Sequence, residues 1–351
     1  MSVWTNWDPL EEVIVGNCYA PGDLDWFVDP SLQEPFNSIL AETKQDLDNL
    51  AQMLQGLGVK VHRPRVYQYQ QSVDLGSFSV DCPISPIVPR DQYLVYGNTV
   101  YQTYTSMTDR FLDSRGYYDI FKALFDQGHN WISQPVPNLH ALSDSKKWMD
   151  PYLNLGKMVY EKLYHKQLLW HTATMFKCGD KLITNVQGPG SQIGLEWMKR
   201  NLPSNTVIAN NSAMMDNWGH IDHGFFMIND DTVICVDDAF VPESLRNKKI
   251  YCIKQYIGSE PTSPATQTDM LLDESKGYEQ VVSFDSNVLV VDPHNIIFSD
   301  DNPVLFEFLN SLGVTCYVSL FRHRKFWAAG IHCVTLDIQR RGNKRKIINE
   351  I

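Results

Sequence analysis

Three short stretches carry side chains that together could break a carbon–nitrogen bond. They are Pro89-Arg-Asp91, Asn217-Trp-Gly-His-Ile-Asp222 and Gly330-Ile-His-Cys333. A cysteine attacks as its thiolate, and a nearby imidazole can take the thiol proton or stabilise the anion. Cys333 and His220 suit those two tasks, and His220 could later protonate a departing amine. Residues two apart in an extended segment share a face, so His220 and Asp222 are expected to point the same way. Carboxylates such as Asp91 and Asp222 match the planar donor fork of a guanidinium. The set therefore suggests attack on a guanidinium carbon. On spacing alone the bland reading stays open, because a lone cysteine is more often a small core hydrophobe.

The elements that must position these residues form a repeating pattern of two short apolar strands around a tight turn. Such hairpins are expected at Tyr93 to Tyr101 around Gly97-Asn98 and at Met175 to Ile183 around Gly179-Asp180. Two more are expected at Phe225 to Val236 around Asn229 to Asp231, and at Val288 to Phe298 around Pro293. A strand from Glu12 to Gly16 opens the chain, and one from Cys333 to Ile338 closes it. Apolar residues at helical spacing (Ile39, Leu40, Leu47, Leu50, Leu54, Leu57) predict a helix, with others over Arg110 to Phe125, Gln192 to Leu202 and Val304 to Leu312. Further strands, Val59 to His62, Thr206 to Ala209 and Val314 to Val318, follow helices. The unit is hairpin, helix, strand, repeated about four or five times, which predicts a pseudosymmetric α/β ring in a single domain over residues 1–351. The segment 137–169 is the least periodic and reads as a loop or lid.

Composition narrows the function classes. A net charge of -11 argues against nucleic acid as the main partner, since phosphate binding needs a basic surface. The basic run Arg340, Arg341, Lys344, Arg345 and Lys346 reads as a solvated tail. No apolar stretch approaches the roughly 20 residues of a membrane helix. The beginning of the sequence is acidic, unlike a signal peptide. The seven cysteines are scattered and never spaced C-x-x-C, which speaks against a disulfide framework or a structural zinc site. A cytoplasmic protein with reduced thiols is expected.

At this point the sequence resembles the glycine amidinotransferase family. The resemblance is carried by Asn6-Trp-Asp-Pro-Leu-Glu-Glu-Val-Ile-Val-Gly16, Gly58-Val-Lys-Val-His-Arg-Pro64, Pro89-Arg-Asp91 with Gly97-Asn98, Gly194-Leu-Glu-Trp-Met198 and His220-Ile-Asp222. It ends with Gly330-Ile-His-Cys-Val-Thr-Leu-Asp-Ile-Gln-Arg-Arg-Gly342, so it spans nearly the whole chain. The resemblance implies a five-bladed, pentein-like α/β propeller with the active site on its axis. It also implies ping-pong chemistry through a covalent cysteine intermediate, no metal or organic cofactor, and a tendency to dimerise. Residue by residue, Cys333 matches the family nucleophile and His220 its general acid/base. Asp91 and Asp222 match carboxylates that hold the guanidinium, and Asn217 matches a pocket asparagine.

The departures concern the donor pocket. The family's catalytic Asp lies in a Phe-Asp-Ala-Ala-Asp block that here reads Trp170-His-Thr-Ala-Thr174, placing His171 where a carboxylate is expected. An Arg that binds the donor carboxylate in some relatives aligns with Ala239, and pocket serines align near Gln280 and Val281. His171 is therefore either a partner of Cys333 and His220 or a mark of lost chemistry. His332 is expected to be structural, its side chain opposite to that of Cys333. Trp170, Trp218, Met214, Met215 and Met227 could form an apolar substrate wall or belong to the core. The leading expectation is transfer of an amidino group from an arginine-like donor to an acceptor amine. The alternative is transfer of an acyl group from a thioester donor, such as an acyl carrier protein, to an amino-acid amine. A deiminase-type hydrolase and a pseudoenzyme are the remaining readings.

Overall fold

The computed structural model describes residues 2–76, 79–105, 108–137, 167–186, 192–210, 219–256 and 286–348. Among these residues lie five three-stranded sheets of one design, an antiparallel pair extended by a parallel third strand. The pairs are Tyr93–Tyr96 with Thr99–Gln102, Met175–Cys178 with Lys181–Asn185, Phe225–Asn229 with Thr232–Cys235, and Leu289–Asp292 with Asn295–Phe298. Their third strands are Asn130–Ser133, Val207–Asn210, Lys249–Cys252 and Thr315–Val318. In the fifth sheet the antiparallel partners come from opposite ends of the sequence. Leu10–Val15 pairs with Thr335–Arg340, and Lys60–His62 is the parallel strand.

This design follows from the sequence pattern. The hairpin turns fall where expected, with Gly97 at φ 59° and Gly179 at φ 69°, a region other residues enter only at a cost. A parallel neighbour requires a crossover connection. Helices Gln33–Gly56, Gln192–Asn201 and Pro303–Ser311 provide three of these. In the expected helix at Arg110 to Phe125, the chain instead makes a 3-10 turn over Asp113–Tyr117 before the α-helix Tyr118–Asp126. Arg110 and Asp113 are turned inward there as a buried ion pair.

Alternation along each strand feeds two cores at once. Val13 and Val15 enter one apolar cluster and Ile14 another, which it shares with Tyr93 and Val95 of the next hairpin. Leu94 and Tyr96 join Met175 and Leu182, while Phe176 and Ile183 join Phe225 and Ile234. Val290 belongs to that last cluster, and Leu289 and Val291 return to the first. Successive sheets are thus mortared by shared cores, as expected for an α/β protein whose strands are buried on both faces. No helix among the described residues is long and apolar enough to cross a membrane.

Two expectations need correction. The closing strand begins at Thr335, and Cys333 lies in the turn before it. Strand alternation therefore does not set the direction of the His332 side chain. Trp170 and Met227 are fully buried in two different cores, as the core alternative weighed for them has it. Met214, Met215, Trp218, Asn217, Gln280 and Val281 lie outside the described residues, as does most of the lid expected at 137–169.

Candidate active site

Each sheet sends a tight turn to one place, immediately before the first strand of its antiparallel pair. Pro89–Asp91, Thr172–Thr174 and Ile221–His223 are single 3-10 turns of this kind. Ser286-Asn287 precedes the fourth pair and Gly330 to Val334 the fifth. Contacts link these turns in a circuit. Thr172 Oγ1 donates to the Arg90 carbonyl at 2.6 Å, and the His171 and His220 rings are 6.0 Å apart. Asn287 Nδ2 donates to Asp222 Oδ2 at 3.0 Å, and Asn287 Oδ1 accepts from the backbone N–H groups of His332 and Cys333 at 3.0 and 3.2 Å. Arg90 Nε donates to the His332 carbonyl at 2.8 Å and returns the circuit to the first turn.

Cys333, His220, His171, Asp91 and Asp222 are all buried around this circuit. Two residues that sequence reasoning passed over stand against the thiol. His223 places Nε2 3.7 Å from Cys333 Sγ, and Asn287 places Nδ2 3.2 Å from it. A signal for His223 was present, since side chains three apart eclipse in a 3-10 turn and His220 and His223 are three apart. For Asn287 the signal was its place in the repeat, just ahead of a hairpin.

His220 and Asp222 do converge, but through the 3-10 turn rather than through an extended segment. Nε2 of His220 faces Asp91 Oδ1 at 3.9 Å. The other Asp91 oxygen accepts from the Arg110 guanidinium, which also binds Asp113 and the Val88 carbonyl. His332, expected to face away, instead bonds Asp222: its Nδ1 is 2.5 Å from Oδ2. Asp222 Oδ1 is buried with no hydrogen-bond partner among the described residues.

The electrostatics divide this group. Burial raises the Cys333 thiol, Asp222 and Asp91 add to the rise, and His223 opposes it. Burial and the Arg90 charge push His332 down to about 4, so at neutral pH its uncharged ring donates through Nδ1 to Asp222. Burial would raise the Asp222 carboxyl, but that hydrogen bond and the surrounding imidazoles hold it below the usual range. Burial likewise opposes ionisation of Asp91, and the Arg110 guanidinium more than reverses it. The resting site is thus a protonated thiol beside ionised carboxylates, an arrangement suited to a cationic ligand.

No family model matches the sequence. The chain is 27% identical over 361 residues to inosamine-phosphate amidinotransferase 1 of Streptomyces griseus, covering 97% of both proteins. It is 24% identical over 357 residues to the mitochondrial glycine amidinotransferase of Danio rerio, covering 96% of this chain and 82% of that protein. The chain is therefore similar over nearly its whole length to amidinotransferases. Those relatives are transferases, and a transferase activity is consistent with the likeness. The fold agrees across 99% of both chains, at a TM-score of 0.73 and 20% identity, with SxtG, an amidinotransferase from Microseira wollei in the saxitoxin biosynthetic pathway. The site of this chain gathers four buried imidazoles, His171, His220, His223 and His332, around one thiol.

Proposed function

We propose that this protein moves an amidino group from arginine or a close relative to an acceptor amine through a covalent intermediate on Cys333. The observation that carries the reading is the Cys333 thiol held between Asn287 and His223, with the Asp222 carboxylate bonded to the same Asn287. The thiol is protonated at rest because burial and two carboxylates oppose the thiolate. A guanidinium arriving between Asp91 and Asp222 supplies the missing positive charge and lowers the barrier to ionisation. His223 takes the proton, and the thiolate forms a bond to the guanidinium carbon. The carbon–nitrogen bond to the donor then breaks, and His220 protonates the leaving amine. The acceptor amine attacks the amidino-thioether, loses a proton to an imidazole and expels the thiolate.

The five like sheets, with cores shared from each to the next, support reading the chain as one five-bladed propeller domain whose turns meet on the axis. Asn217 is assigned to the same pocket on the resemblance alone. A second reading, acyl transfer from a thioester to an amine, draws on a specific feature: Arg110 already occupies one Asp91 oxygen, and His171 replaces a carboxylate at the donor side. Turnover with guanidino-labelled arginine separates the two. Label appearing in an added amine, with ornithine released in equal amount, is the expected result. Transfer only from an acylated carrier protein would establish the second reading, and ornithine or citrulline without acceptor would mean hydrolysis. The variant His171→Asp restores a carboxylate and is expected to raise amidino transfer at least several-fold.

A further inference from the structure

His220, Asp222 and His223 each offer a ligand atom, and these atoms lie within 4.8 Å of one another in the buried site. The Cys333 sulfur stands 3.7 Å from His223 Nε2. Tetrahedral zinc, with bonds of about 2.0 Å to nitrogen and 2.3 Å to sulfur, sets its nitrogen and sulfur ligands roughly 3.6 Å apart. The imidazole and thiol are therefore already at ligand spacing. The His220, Asp222 and His223 ligand atoms, up to 4.8 Å apart, need to close by up to about 1.5 Å to reach the roughly 3.3 Å expected between nitrogen or oxygen donors, and Cys333 joins that group through its contact with His223.

A second, independent observation points to a ligand. Asp222 Oδ1 is buried and accepts no hydrogen bond from any described residue, while Oδ2 is fixed by His332 Nδ1 and Asn287 Nδ2. A carboxylate oriented by such outer contacts and left with one open oxygen is the arrangement by which proteins prepare a metal ligand. Two imidazoles, a carboxylate and a thiolate suit zinc and similar divalent transition cations, and are a poor match for magnesium or calcium.

We propose that His220, Asp222, His223 and Cys333 form a binding site for a zinc-class divalent cation, and that its occupancy reversibly silences the nucleophile. Binding breaks the Cys333 S–H bond, forms a sulfur–metal bond and releases the proton to solvent, with no change of oxidation state. The bound cation withdraws the thiol from substrates and fills the space between the carboxylates with fixed positive charge. This inference stands on ligand geometry and does not depend on which group the enzyme transfers.

The test is titration of the chelator-treated full-length protein with cobalt(II) and zinc(II) alone, read by absorption and by bound-metal stoichiometry. One equivalent of cobalt is expected to give the intense bands of a tetrahedral site and a sulfur-to-cobalt charge-transfer band. Cys333→Ser should remove the charge-transfer band, His223→Asn should weaken binding at least about 10-fold, and zinc should protect Cys333 from alkylation. The pair Cys235 and Cys252, with sulfurs 3.2 Å apart, is a competing thiol site, so the titration is repeated in Cys252→Ser. Binding that disappears in Cys252→Ser, or that persists unchanged in both Cys333→Ser and His223→Asn, would overturn the proposal. None of these readouts needs turnover, so a protein that binds cobalt but transfers no amidino group separates the two claims.

Discussion

Nε2 of His223 lies 3.7 Å from Sγ of Cys333, at the meeting point of turns that belong to two different sheets. This contact works against burial to lower the thiol. Replacing His223 with Asn removes it and leaves Asn287 in place. Alkylation of Cys333 by iodoacetamide at pH 7 is then expected to slow by about 10-fold or more, with its pH profile displaced upward. A profile identical to that of the unaltered protein would assign the proton to another group.

Gly330 and Asn287 define a second dependence. A Cβ at position 330 would fall on the Asn287 side-chain amide, whose oxygen receives the N–H groups of His332 and Cys333. Gly330→Ala therefore displaces the residue that orients both Asp222 and Cys333 without removing any reacting group. Turnover should fall about 100-fold, since small misplacements are costly when a reaction depends on alignment. Thermal unfolding and turnover measured together check this: a variant with native stability and full activity would show that Asn287 does not set the geometry.

How much of this was visible beforehand depends on the residue. The hairpins were legible because Gly97 and Gly179 occupy positive-φ corners between apolar runs, a local requirement that any sequence must meet locally. Cys333, His220, His171, Asp91 and Asp222 could be nominated from their types and from family resemblance, and the structure brings all five together. His332 was misjudged because strand alternation was applied to a turn. Asn287 was missed because its value comes from contacts with residues 46 and 65 positions away, which no local pattern encodes. Arg110 was missed similarly: only the packed turn shows that Asp91 already holds a guanidinium from its own chain.

Behind the nucleophile turn lies a buried charge cluster. Asp337 bonds Arg90 at 2.8 Å, Lys177 at 2.5 Å and Arg340 at 3.1 Å, and all four residues are buried. Burial pushes Lys177 down to about 7 and the nearby guanidinium of Arg90 adds to the shift, while Asp337 opposes it. Asp337→Asn leaves these cations without their anion and loosens Arg90, which holds the His332 carbonyl. A loss of about 3–5 kcal/mol in denaturant unfolding is expected, the usual cost of breaking a buried pair from one side. A change within about 0.5 kcal/mol would mean the cluster is solvated.

Asp109 gives a pH-dependent prediction. Burial pushes its carboxyl up to about 7, and the charge of Asp81 adds to the rise. The folded state therefore holds this proton more tightly than the unfolded chain, and stability is lost as pH rises from about 4 towards 7. Asp109→Asn, which cannot ionise, should melt at least about 2 °C higher than the unaltered protein at pH 8. The advantage should vanish near pH 4. Equal melting temperatures at both pH values would contradict the assignment.

The central claim is a covalent amidino group on Cys333, and intact mass spectrometry of the purified protein after incubation with arginine tests it most directly. The account predicts an adduct of one amidino group per chain, absent in Cys333→Ala and discharged when an acceptor amine is added. An unmodified mass in the presence of arginine, together with an acyl adduct at Cys333 from a thioester donor, would contradict it.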